Sequence, residues 1–176
     1  MRCFTVVLCV VATTAAAQEP VPTIPESTRA ESTPPPAPPT LEQLRYLEGL
    51  RTAGRGIAQL KDGLNRVSGS HRDTLRLKQA ARRLGGLCGT ARGFMTTGRA
   101  KMQATAYEDS TRLKARRVTL QIDSLIRSTP TCEARAFRQP DSTTAGLLIR
   151  LRAYETALRD FRAAIGLPNS KPVTPN

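Results

Sequence analysis

The chain carries one histidine, His71, among its 176 residues, and that scarcity disposes of most metal and nucleophilic chemistry. A structural metal site needs several ligands at fixed spacing. His71, Cys88 and Cys132 share no helical ligand spacing, so no metal site is expected. The C-x-x-C-H signature of covalent haem attachment is absent, and no other cofactor is implied. Runs of period-two alternation, the mark of a half-buried strand, do not occur over any useful length. Without strands there is no strand-borne glycine loop for phosphate. Paired carboxylates have plainer explanations. Glu108 and Asp109 suit a helix N-terminus, and Glu155 lies four residues before Arg159 as a helix-surface pair. No catalytic residue is assigned, and the expectation is a protein that is not an enzyme. Aromatic residues make up only 4% of the chain, and none interleave the basic run as bases stacked on a single strand would require.

Acids are also few. Lysine and arginine number 27 against 14 aspartates and glutamates, a formal charge of +13. The excess is uneven. Gln18 to Thr40 is slightly acidic, with Glu19, Glu26 and Glu31 against Arg29, so residues 41–167 carry nearly all of it.

The N-terminus has the pattern of a secretory signal: Arg2, the apolar run Phe4 to Val11, and a small-residue site at Ala15-Ala16-Ala17. That run is far shorter than the ~20 residues a bilayer span needs. Cleavage is expected after Ala17, with residues 1–17 as signal peptide and the mature chain periplasmic or secreted. Residues 18–40 form a proline-rich linker, densest at Pro34-Pro35-Pro36-Ala37-Pro38-Pro39. Such a composition builds no core and acts as a disordered, semi-rigid spacer. Residues 168–176 are expected to be a disordered tail.

Between these ends lie four amphipathic stretches. The first opens at Thr40 with Gln43 three residues on, a capping-box spacing, carries Leu44, Leu47, Leu50, Ile57, Leu60, Leu64 and Val67, and ends at Gly69. Gly49, Gly54, Gly56 and Gly63 inside it signal close helix approach or a kink. The second is capped by Ser70, buries Leu77, Ala81, Leu84, Cys88, Ala91 and Met95, and stops at Gly98. The third opens on Thr105 and Glu108, again at capping-box spacing, carries Ala115, Val118, Ile122 and Leu125, and closes at Pro130. A loop containing Cys132 then leads to a fourth helix, capped by Asp141 or Ser142, with Leu147, Leu151, Tyr154, Leu158, Phe161 and Ile165 in four-three rhythm. Gly166 and Pro168 end it. The expected fold is all-α, an antiparallel up-down four-helix bundle over residues 41–167.

Loss of the leader removes Cys3 and Cys9 and leaves Cys88 and Cys132, which in an exported protein most simply form one disulfide. The expected helix boundaries resist this. If the chain turns back at Thr105, Cys88 lies opposite Arg116, about 24 Å from Cys132 at 1.5 Å per residue. The bridge then needs the loop after Pro130 to run back along the bundle, or a break at Gly85-Gly86.

The remaining signal is charge. Arg72, Arg76, Lys78, Arg82 and Arg83 on the second helix, with Arg112, Lys114, Arg116 and Arg117 on the third, are the candidate set for an anionic partner: an envelope polysaccharide or similar polymer, lipid headgroups, or an acidic protein. A solvated face that only keeps the bundle soluble competes with this reading. Nucleic acid fits less well, since no helix-turn-helix signature is present and the leader points away from the genome. A different class of function, a structural or chaperone-like bundle working through protein contacts, would use leucines off the main stripes, such as Leu41, Leu75, Leu87, Leu113 and Leu148. Intact-mass analysis of protein from its host should give a chain beginning at Gln18, with two thiols alkylated only after reduction. A mass retaining Met1, with thiols free from the start, would overturn both export and bridging.

Overall fold

The computed structural model describes residues 38–168; the expected signal peptide, nearly all of the proline-rich linker and nearly all of the tail lie outside them. Among the described residues there are four α-helices and no strand: α1 (Leu41–Gly69), α2 (Thr74–Ala100), α3 (Asp109–Arg135) and α4 (Pro140–Ala164), with a single 3-10 turn over Ala104–Ala106. They form a helical bundle in which α1 lies along α2, α2 on α3 and α3 on α4, while α1 meets α4 at fewer points. None of these helices is long and apolar enough to cross a membrane.

The start of α1 follows the sequence closely. Thr40 Oγ1 accepts from the Gln43 amide at 3.2 Å, and Gln43 Oε1 accepts from the Thr40 amide at 3.0 Å, a complete capping box. The buried line that follows differs from the leucine stripe. Leu44 is exposed and Leu47 and Leu50 are half-buried, whereas Tyr46, Gly49, Ala53 and Gly56 face inward. The reason is the approach of α2. A Cβ on Gly49 would stand 2.5 Å from the Gly98 carbonyl oxygen, one on Gly56 2.6 Å from that of Ala91, and one on Gly63 2.8 Å from Leu84 Cδ1. Glycines at seven-residue intervals therefore let two backbones meet where leucines would hold them apart. α1 runs unbroken through them.

Five expected boundaries move. Ser70 does not cap α2, because its hydroxyl donates to the Arg66 carbonyl at the end of α1. Asp73 caps instead, accepting from the Leu75 and Arg76 amides at 2.9 and 3.1 Å. α2 also runs past Gly98 to Ala100. Thr105 and Glu108 form no capping box, since Ala104–Ala106 is a 3-10 turn and α3 begins only at Asp109. The competing force is Tyr107. Its ring packs 5.2 Å from both Tyr46 and Phe161, the latter two 5.3 Å apart. Burying such a ring is worth about 1.5–3 kcal/mol, against about 1 kcal/mol for a cap. The Tyr46 hydroxyl closes the cluster by donating to the Ala115 carbonyl at 2.8 Å.

The correction at Pro130 carries the most weight. Pro130 does not end α3, and Cys132 lies in a helix rather than a loop. Proline leaves the carbonyl four residues back without its amide donor. Here the buried Thr129 hydroxyl donates to that carbonyl, Ile126 O, at 2.7 Å, so the helix continues. The capping of α4 also differs from expectation: Pro140 occupies its first turn, Gln139 precedes it, and neither Asp141 nor Ser142 caps. At its far end Gly166, at φ +69°, supplies the left-handed residue, with Leu167 N–H donating to the Arg162 carbonyl.

Two expectations follow from this packing. Gly98→Ala forces a methyl to within 2.5 Å of the Ala53 amide nitrogen and should cost about 1–3 kcal/mol in denaturant unfolding. Gly54→Ala, which meets nothing within 4 Å, should raise stability by up to about 1 kcal/mol. Equal effects would contradict the close approach. Alkali should also unfold the protein. Burial raises the hydroxyl pKa of Tyr46 and Tyr107 above the ordinary 10.0, and pushes Tyr154 up to about 12. The neutral forms favour the fold, so this stability is complete below pH 10.0 and is lost as pH rises toward about 12. Tyrosinate absorbance should then grow together with loss of helical ellipticity. Ordinary titration with helicity intact would contradict the burial.

Candidate functional site

The bond between Cys88 and Cys132 sets the level of α3 against α2. Both residues are buried, with Cα atoms 6.1 Å apart, within the range a disulfide spans without backbone movement. Neither rearrangement expected from the sequence is needed. Arg99 Nε donates to Asp123 Oδ1 at 2.9 Å and Arg92 lies 3.5 Å from Glu133, so α3 is displaced along α2 far enough to bring Cys132 level with Cys88. The displacement is taken up by the segment between Ala100 and Asp109 and by the passage of α3 through Pro130.

This register decides which cations share a surface. Arg72, Arg76, Lys78, Arg82 and Arg83 are all exposed on the first turns of α2 and the turn before it. The Arg82 guanidinium stands 5.1 Å from the centre of the Phe137 ring, a cation–π distance, and Phe137 lies just past the end of α3. Arg135 and Arg138 flank that ring in sequence and are exposed. Arg66, from the last turn of α1, lines a shallow groove with Ser70, Arg76, Gln79 and Arg83. The His71 ring reaches to 3.8 Å from Asp141, bringing the start of α4 to the same end.

Carboxylates at this end are few and partly engaged. Asp62 pairs with Arg66 at 2.9 Å, Asp73 lies 3.3 Å from Arg76, and Glu133 faces Arg92. These exposed pairs are individually weak, and Arg72, Lys78, Arg83, Arg135 and Arg138 form no ion pair among the described residues.

The second half of the candidate set lies elsewhere. Arg112, Lys114, Arg116 and Arg117 sit on the first turns of α3. From Arg112 to Arg135 runs continuous helix, about 35 Å at 1.5 Å per residue. The cations expected on one face are therefore divided, those of α2 lying beside the end of α3 and those of α3 at its start. Arg112 Nε donates to the Tyr107 carbonyl at 2.9 Å, Arg117 lies 3.8 Å from Asp160, and Lys114 is half-buried. Nearby, Lys101 and Glu48 meet at 2.6 Å, and that lysine holds the Glu48 carboxyl below its usual pKa. Arg112 and Arg117 are thus tied into the fold, while Arg116 is exposed and forms no ion pair among the described residues.

Arg135, Arg138 and Phe137 are absent from the sequence-derived set, because the stretch after Pro130 reads as a loop. The available signal was the Arg-x-Phe-Arg grouping three residues after Cys132. Its meaning depends on the disulfide level. Among the described residues, no three His, Cys, Asp or Glu side chains converge as a metal centre would require. No known protein family, curated protein or solved structure matches this chain.

Proposed function

We propose that this is an exported, non-enzymatic binding protein whose basic end receives an anionic polymer of the cell envelope. In this reading the signal peptide is cleaved after Ala17 and residues 18–40 hold the bundle away from its point of attachment. The four helices follow one another in antiparallel up-down order. Support for that order comes from the pairs Gly49 with Gly98 and Gly63 with Leu84, and Arg99 with Asp123 and Gly89 with Glu133, in which one helix advances as its neighbour retreats. A buried disulfide accords with an oxidising compartment.

The observation that carries the functional reading is Arg82 over Phe137. It joins the arginines of α2 to Arg135 and Arg138 in one field, and a field of one sign concentrates oppositely charged partners. Lipid headgroups and acidic proteins share the chemistry but differ in what the exposed Phe137 would meet. A second reading, a protein-interaction or chaperone-like bundle, is favoured by Leu113 and Leu120, 68% and 52% exposed and two turns apart on α3.

The test is a salt titration. Retention on heparin should fall steeply as ionic strength rises through the range that shortens the Debye length from about 10 to 3 Å. Replacing Arg82, Arg83, Arg135 and Arg138 by glutamine should remove most of the retention at low salt. Glutamine at Arg112, Arg116 and Arg117 should leave it nearly intact. Salt-independent retention, or equal loss from both variants, would sink the proposal, and suppression of client aggregation abolished by Leu113→Gln with Leu120→Gln would favour the second reading.

A further inference from the structure

Small residues line two seams of this bundle and do different things in each. Between α1 and α2 a Cβ on Gly49, Gly56 or Gly63 would collide with the opposite helix. Between α3 and α4 the opposite holds: a Cβ on Gly146 would meet only the Arg150 guanidinium, 3.7 Å away. Here the small residues leave a groove of about 240 Å³ instead of a contact. A seam built only for stability would be filled with apolar side chains. This one has hydroxyls and two arginines around a floor of Cys132, Gly146 and Leu147, with no carboxylate among its lining residues.

The donors in the groove are arranged unevenly. Ser128 and Ser142 spend their hydroxyl protons on the carbonyls of Leu125 and Gln139. Ser124, Thr131 and Thr143 make no side-chain hydrogen bond among the described residues and keep theirs available. Arg150 Nη1 donates to the Gly146 carbonyl at 2.9 Å, which folds its guanidinium over the groove and leaves four of its five donors free. Arg127 lines the groove from α3 and has no acidic partner among the described residues. Three free hydroxyl donors and two guanidiniums without a competing carboxylate make a seat for an oxyanion.

We infer that the α3/α4 groove binds a phosphate-type oxyanion carried on a compact polar ligand of about monosaccharide size. The volume lies below the range of about 300–1,000 Å³ that holds drug-sized ligands, which fits one sugar unit better than a nucleotide cofactor. The hydroxyls of Ser128 and Ser142 remain as acceptors for a ligand hydroxyl. The groove opens near the same end of α3 and α4 but shares no lining residue with the arginines around Phe137, and it does not depend on that reading.

The experiment is amide-resolved NMR titration of the full mature chain with inorganic phosphate, glucose 6-phosphate and glucose. Saturable shifts in residues 124–131 and 142–150 are expected with both phosphates and not with glucose. Tighter binding of glucose 6-phosphate would show that the hydroxyls read the sugar and supports the inference; equal binding would overturn the sugar-sized carrier and leave only an oxyanion seat. Arg127→Gln with Arg150→Gln should weaken binding by about tenfold or more. Gly146→Leu should abolish it while leaving helicity intact, since leucine is the better helix former. Glutamine at Arg82, Arg83, Arg135 and Arg138 should leave it unchanged, so failure of the basic end and failure of the groove are read separately. No saturable shift with either phosphate, equal response to glucose, or undiminished binding by the Arg127 and Arg150 double variant would overturn the inference.

Discussion

The bond between Cys88 and Cys132 holds α2 and α3 at one level along their lengths, and the composition of the charged end follows from that level. A slip of one turn, about 5.4 Å, would take Phe137 out from under Arg82 and move Arg135 and Arg138 away from the arginines of α2. In the chain-entropy account, closing a loop across 44 residues removes about 4 kcal/mol of unfolded-state freedom. That is more than the roughly 3 kcal/mol an interior proline takes from a helix. The bridge thus lies on the far side of the weakest point of α3, and the Thr129 hydroxyl on Ile126 O repairs what Pro130 removes. Covalent bond, proline and threonine act as one device: they carry α3 past a residue that ordinarily stops a helix.

The remainder of the core is divided between two ways of using little volume. Along α1 and α2, glycine allows backbone to approach backbone at Gly49 and Gly56, and makes room for the Leu84 side chain at Gly63. One turn before Gly49, Tyr46 does the reverse, reaching across to the Ala115 carbonyl and packing on Tyr107 and Phe161. Three aromatic rings fill the space above α2, where α3 and the 3-10 turn extend beyond it. Their burial fixes where α3 starts. The disulfide fixes its level further along, and the two restraints agree on a single register.

Most of the inward faces were legible in the sequence. Ala81, Leu84, Cys88, Ala91 and Met95 on α2, and Leu147, Leu151, Tyr154 and Phe161 on α4, are all buried as their spacing implies. So was the cap at Thr40, which depends only on residues three apart. What was not legible depended mostly on distant partners. Leu44 yields to Gly49 because α2 comes close, a fact held in Gly98 and Met102. The Thr105–Glu108 cap fails because Tyr107 has somewhere better to go. Pro130 reads as a stop unless the Thr129 hydroxyl is known to face Ile126 O. The leucine stripe and the Thr105–Glu108 cap were overruled by tertiary contacts, whereas Pro130 was overruled within its own helix, by a hydroxyl three residues on from the carbonyl it serves. The candidate cations fared in the same way: their identities were visible, but their division between two ends depended on the length of α3.

The placement of charge also bears on whether the basic end serves the fold. Cations suit helix C-termini, where the backbone dipole is negative, and are unfavourable at N-termini by about 0.3–1 kcal/mol each. Arg135, in the last turn of α3, is placed where it stabilises its helix. Arg76 and Lys78 are not. They stand in the opening turns of α2, which has no acid in its first turn, and Asp73 at the cap is the one carboxylate that offsets them there. Arg82 and Arg83 follow on the same helix, and α3 adds like charge beside them. Selection for stability alone would spread these cations out or pair them, as Lys101 with Glu48 and Arg99 with Asp123 are paired elsewhere in the bundle. Solubility would be served equally by charge distributed over every helix. Exposed arginines outside any ion pair also stand on the other helices, at Arg45, Arg51, Arg55, Arg116, Arg152 and Arg159, so what sets the start of α2 apart is that its cations oppose the dipole of their own helix, a cost that a bound anion would offset.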